Sequence, residues 1–223
     1  TSPEAELDTG YSADVSVCSS PDGGVSVLVW EEEPDPLARK VLCYLVQRHD
    51  PSGIRSEGPF RVWVAGAGVV EAFLAHGGDP SVVVLEGAIY VAYQGTRGGV
   101  YVIRLARRSG AYTASDRWEP LVGRRAPKGS MHAIAPLEPG SLDPDRVGFI
   151  GDGWLPNLSG RTLETGEDRV AVVWENNEGE AIQENANKHV SLEYLHYDPG
   201  APEPFFASGG HDLVWTIATS EDG

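Results

Sequence analysis

Three short phrases recur in which an aromatic residue is followed by an acid or an amide: Trp30-Glu31, Tyr93-Gln94 and Trp174-Glu175. Each closes an apolar, alternating run: VSVLVW from Val25, IYVAY from Ile89 and VAVVW from Val170. An aromatic ring can lie against the C–H face of a sugar, and an adjoining carboxylate or amide accepts its hydroxyls. Trp30, Glu31, Tyr93, Gln94, Trp174, Glu175 and Asn176 are therefore the expected ligand-binding residues. The competing reading is structural. One aromatic per repeated unit packs between neighbouring sheets, and the acid opens a solvated loop.

Chemistry beyond recognition needs carboxylates in pairs. Glycoside hydrolysis takes one as acid and the other as nucleophile or base, and Glu31, Glu175 and Asp152 are the first candidates. Two oxygen-rich stretches invite Ca²⁺, a cation that prefers hard oxygen ligands: Glu31 to Glu33 with Asp35, and Glu175 to Glu178 with Glu180. Glu175, Asn177 and Glu178 would be the ligands. Neither stretch has the spacing of an EF-hand loop, and solvated charge is the plainer reading. No other cofactor is expected. No histidine pair has the spacing of a helical metal site, and no serine sits in a G-x-S-x-G elbow. Val62 to Glu71, VWVAGAGVVE, imitates a dinucleotide fingerprint, but Glu71 stands where the third glycine belongs and no βαβ unit follows.

The net charge of −16 narrows the partners. Such a field repels phosphate backbones and anionic membrane surfaces, so nucleic acid is excluded as a natural ligand. No apolar run approaches the roughly 20 residues of a membrane-spanning helix, so membrane insertion is not expected. Neutral glycans, cations or a basic protein face fit better. Arg104, Arg107, Arg108, Arg117, Arg124, Arg125 and Lys128 form a locally basic segment, a candidate surface for self-association with another acidic copy or for assembly into a larger particle.

The elements that must position these residues are strands. Val25–Val29 and the run from Val41 to Asp50 alternate with period two, as do Ile89–Gln94, Val100–Arg107 and Val170–Glu175. Lys40–Pro51 overlays Lys188–Pro199 without a gap, since 198 − 50 and 188 − 40 are both 148. Ser20-Pro21-Asp22-Gly23-Gly24 reads as a turn in which Gly23 and Gly24 take positive φ. Glu31–Pro36 and Gly151–Gly160 read as loops, Phe60–Ala65 as a fourth strand, and Gly66–Ala75 as a place where helix and strand compete. Cys18 and Cys43 fall on first and third strands of one antiparallel sheet. Their separation of about 9–10 Å exceeds the roughly 7 Å that a disulfide spans, so free thiols are expected.

Repeated sets of four short strands with almost no helical periodicity predict an all-β chain, a β-propeller of four-stranded antiparallel blades, incomplete or completed by a partner. A β-sandwich is the alternative. Residues 1–12 form an N-terminal arm, and the propeller-like domain spans 13–223. Its units run about 13–65, 77–122, 131–160 and 161–208, with a partial unit at 210–223.

Ser20-Pro21-Asp22-Gly23-Gly24 resembles the start of the Asp-box, S-x-D-x-G-x-x-W, of sialidase-like (BNR-repeat) propellers, and Ser220-Glu221-Asp222-Gly223 looks like a second one. Gly77–Gln94, GGDPSVVVLEGAIYVAYQ, is similar to sialidase-like blades in general. The first box departs from the pattern: Val27 holds the tryptophan position, and the box precedes the second strand. The resemblance implies a propeller with a taste for glycans. It carries over no catalytic residues, because the arginine triad of sialidases has no counterpart at the start of the chain. The function expected is thus a non-catalytic, secreted or virion-borne extracellular binding module, an adhesin, lectin or appendage that recognises a glycan or a protein. A glycoside hydrolase of sialidase-like propeller type is one alternative, and a purely structural assembly protein another.

Overall fold

A computed structural model describes residues 14–33, 39–65, 72–95, 99–121, 123–124, 149–151, 154–176, 191–198 and 205–207. The described chain is all-β, and no helix occurs in it. Strands β1 (Val15–Ser19), β2 (Val25–Glu32), β3 (Val41–Asp50) and β4 (Gly53–Arg61) form a sheet in sequence order. β5 (Trp63–Ala65) and β6 (Ala72–Leu74) form a separate hairpin. The second sheet meanders through β7 (Gly77–Val84), β8 (Ala88–Gly95), β9 (Val100–Ala106) and β10 (Glu119–Leu121). Its outer strand β9 pairs also with β12 (Phe149–Gly151), ahead of β10 along the same edge. The third sheet runs β13 (Trp154–Thr162), β14 (Asp168–Asn176), β15 (Ser191–Asp198), β16 (Phe205–Ala207), and ends on β11 (Gly123–Arg124), which joins β16 in parallel.

All neighbouring strands within the three meanders are antiparallel. The period-two runs placed β2, β3, β8, β9 and β14 correctly, because every second residue of each faces an apolar core. Loop readings fared worse at three places. Gly151–Gly160 holds most of β13, whose prolyl and left-handed residues are absorbed in a bulge between Trp154 and Asn157. β2 continues through Glu31 and Glu32, where the charge suggested a loop. The fourth strand starts at Gly53, directly after a tight turn, and Phe60–Ala65 is divided between β4 and β5.

The middle sheet is buried on both sides. Val82, Val84, Ile89, Val91, Tyr93, Ile103 and Leu105 meet Val25, Val27, Val29, Leu42, Tyr44 and Val46 of the first sheet. Its opposite face sends Val83, Leu85, Tyr90, Ala92, Val100 and Val102 against Leu158, Val170, Val172 and Trp174 of the third. Alternation along a strand is what lets one sheet serve two cores. Toward the outer strands, the space between the first two sheets is filled by the β5–β6 hairpin. There Val64 bridges Trp118, and Ala75 N–H donates to Val62 O at 3.0 Å. Trp118 stands edge-on to Tyr44 at 5.2 Å between ring centres.

The first strands of the three sheets form a row. Ser16 Oγ on β1 accepts a hydrogen bond from Val82 N–H on β7 at 3.1 Å. Ser81 Oγ, one residue earlier on β7, accepts from Leu158 N–H on β13 at 2.9 Å. Two residues before Ser16, Ser81 and Asn157 stand Asp14, Asp79 and Leu155, the three non-glycine residues of positive φ among the described residues, at 52°, 48° and 51°. The chain therefore repeats one local design, a left-handed residue followed by an extended strand, and in the first two sheets the serine two positions on bonds to the next sheet. β1, β7 and β13 run the same way, so the second strands do as well.

Candidate functional site: a carboxylate cluster at one end of the sheets

The common direction of the second strands brings Trp30-Glu31, Tyr93-Gln94 and Trp174-Glu175 to the same end of their sheets. The aromatics do not present their faces there. Trp30, Tyr93 and Trp174 are buried, each in a different core cluster. Tyr93 stacks on Tyr101 at 5.3 Å, and burial followed by the Tyr101 charge pushes its phenol upward, so it stays neutral. Tyr93 and Trp174 pack between sheets, whereas Trp30 packs on Leu28, Val41, Cys43 and Leu45 of its own sheet.

Glu31 behaves unlike a loop acid. Only 2% of its surface is exposed. One carboxylate oxygen pairs with the Lys40 ammonium, which reaches in from solvent. The other, Oε2, has no hydrogen-bond partner among the described residues and lies over the backbone of Gly78 at the start of β7, where a side-chain carbon would overlap it. The ion pair with Glu31 raises the lysine against the opposing effect of its own desolvation.

Next to Gly78 stands Asp79. Burial and then the nearby Asp14 and Glu31 carboxyls hold its acid group above the ordinary carboxylate range. Asp14 and Asp79 are the equivalent left-handed residues of the first two sheets. Small polar side chains tolerate that conformation because they bond locally. The fold thus brings together Asp14, Glu31 and Asp79, with Lys40 as counter-ion and an unsatisfied buried oxygen between them. Carboxylates accept hydrogen bonds, and an acid group whose pKa is raised keeps its proton, and with it a donor, to higher pH.

Of the residues expected from the sequence, Glu31 belongs to this cluster. Gln94 is partly exposed on β8, opposite Gly78 in the ladder. Glu175 and Asn176 end β14, facing Leu192 and Ser191. Asp152, Asn177 and Glu178 lie outside the described residues. Asp14, Asp79 and Lys40 were missed. Asp14 and Asp79 do share a signal, in that each stands two residues before a serine on the first strand of its unit. Among the described residues no group of three or more His, Cys, Asp or Glu side chains is arranged to hold a metal ion.

The opposite end is locked by polar contacts. Asp168 accepts from Tyr90 Oη at 3.1 Å and from Thr162 Oγ1 at 2.8 Å, tying the β13–β14 turn to the second sheet. In the Ser20–Gly24 turn, Asp22 accepts from Ser20 Oγ and from Gly24 N–H, and pairs with Arg107 at 3.2 Å. These bonds lower the Asp22 pKa to about 2. Only Gly23 of the two turn glycines takes positive φ. Arginines of the basic segment are likewise engaged within the chain: Arg104 with Glu119, Arg107 with Asp22, Arg108 with Asp116, and Arg117 over the Trp63 ring.

Cys18 and Cys43 are free thiols on β1 and β3, with β2 between them. Burial, with the Glu32 carboxylate 3.0 Å away, pushes the Cys43 thiol far up. Comparison with protein-family models, with curated proteins and with solved structures finds no match.

Proposed function

We propose that this chain is a propeller-type binding module that recognises a glycan through the Asp14–Glu31–Asp79 end of its sheets. The row of first strands and the hairpin wedged between outer strands support a radial arrangement over a two-layer sandwich. The observation that carries the functional reading is the pairing of exposed Asp14 with half-buried Asp79 beside the Glu31–Lys40 ion pair. Ligand hydroxyls reach the exposed Asp14 and half-buried Asp79 carboxyls, whereas the net negative charge disfavours anionic ligands. An exported or virion-borne setting suits such a module.

Glycan-array binding of the wild-type chain beside Glu31→Gln and Asp79→Asn variants tests the reading. Loss of one charge-assisted hydrogen bond lowers affinity by about tenfold or more. No binding to any glycan, or binding that both variants leave untouched, removes the lectin reading.

A second reading rests on the raised Asp79. A carboxylic acid beside a second carboxyl is the equipment of a glycosidase acid. Turnover of chromogenic glycosides that disappears in Asp79→Asn supports the enzyme. Binding without turnover leaves the module.

A further inference from the structure

Three of the four large apolar side chains that stand exposed among the described residues lie on the two end strands of the row. They are Val15 at 64% and Val17 at 61% on β1, and Leu155 at 52% on β13. The fourth, Ile54 at 65%, is on β4, the last strand of the first sheet. Val17, Val82 and Leu158 hold the same place in their sheets, each one residue after Ser16, Ser81 or Asn157. Val82 and Leu158 meet the preceding first strand and are 6% and 8% exposed. No described strand precedes β1, and Val17 stays exposed.

At β13 the other half of the contact is open. Asn157 stands where Ser16 and Ser81 accept an amide hydrogen, yet its side chain is exposed and has no hydrogen-bond partner among the described residues. One end of the row thus offers an apolar side chain and its backbone amide, and the other offers a side-chain acceptor. These are the two halves of a junction that the chain already builds twice, β1 on β7 and β7 on β13. A body that carries both halves of one contact is complementary to a copy of itself, head to tail.

We propose that the two ends join between copies: β13 of one chain seats beside β1 of a second. The Asn157 side-chain carbonyl of the first accepts from Val17 N–H of the second, and the Val17 side chain is covered as Val82 and Leu158 are. Each chain carries a net charge of −16, so long-range electrostatics opposes pairing and burial of Val15, Val17 and Leu155 supplies the attraction. Two chains seal each other at both junctions if the rotation closes, and the assembly grows if it does not. The junction stands on the row and not on a ligand: glycan binding could fail while copies join, and the reverse holds as well.

Sedimentation equilibrium of the full chain, over a range of concentrations, tests the junction. A species of two or more chains is expected. Val17→Asp, which places a charge in the covered contact, is expected to leave only monomer. Asn157→Ala is expected to weaken association by about tenfold, the effect of one lost hydrogen bond, and Asn157→Ser to retain it. Both positions are exposed in the single chain, so these variants keep its fold, which circular dichroism verifies. Ile54→Asp removes an equally exposed apolar side chain away from the row and should assemble as the wild type does. A wild-type chain that stays monomeric overturns the proposal, as does assembly that Val17→Asp spares or that Ile54→Asp disrupts equally. In a Cys18→Ser background, where the remaining Cys43 is buried, mixing Val17→Cys chains with Asn157→Cys chains should yield a disulfide-linked pair. Linkage of Val17→Cys chains to one another instead would reveal two β1 strands face to face and overturn the head-to-tail seat.

Discussion

Gly78 and Glu31 make the most demanding contact of the candidate site. A methyl at Gly78 collides with the buried Oε2, so Gly78→Ala should destabilise the chain by about 1–3 kcal/mol, the usual cost of overpacking. In Glu31→Ala the same substitution should cost less, because its obstacle is gone. Urea unfolding of the four chains in a double-mutant cycle measures this coupling; additive effects would place the strain elsewhere. Two aspartates respond to pH with opposite signs. Asp22, lowered from 3.8 to about 2, contributes stability that is present above pH 3.8 and lost as pH falls through 2. Asp79 is raised, so its contribution is present below the unfolded value and lost as pH rises through the folded one. Melting curves against pH should therefore lose an acid-side slope in Asp22→Asn, and gain relative stability toward neutral pH in Asp79→Asn.

At the scale of elements, serines do what apolar contacts alone could not. Ser16 and Ser81 each satisfy an amide on the first strand of the next sheet, where a side chain rather than a ladder partner supplies the acceptor. Ser81→Ala should cost about 1 kcal/mol and release the Leu158 amide to exchange, while Val82 keeps its protection through Ser16. Equal loss at both amides would mean that the sheets separate as one unit. The strands themselves were largely legible, since β2, β3, β8 and β9 announce themselves by alternation. β13 was not. Trp154-Leu155-Pro156 breaks the period with a left-handed residue and a proline, and only comparison with Asp79-Pro80 reveals the same bulge in the second sheet. The recurring aromatic-plus-acceptor endings were found in the sequence, but their roles divide. Rings pack backward into a core, while Glu31 turns forward onto Gly78. Sequence shows that both residues recur, and not which side of the strand faces a neighbour. Asp14 and Asp79 escaped notice because their value lies in a φ angle and in proximity across sheets, 65 positions apart (79 − 14).

For the molecule as a whole, the question is whether the sheets diverge or lie flat on one another. The proposed glycan site follows from divergence. Sheets that diverged outward would leave room for the β5–β6 hairpin between the outer strands of the first two sheets, while β1, β7 and β13 touch directly. Distances between spin labels decide this. In a Cys18→Ser background, one pair sits on first strands at Ser19 and Ser159, and another on last strands at Arg55 and Ala207. Sheets set around a common axis require the outer pair to be clearly farther apart than the inner pair. Equal separations would contradict that arrangement, and with it the shared end at which Asp14, Glu31 and Asp79 are proposed to meet a glycan.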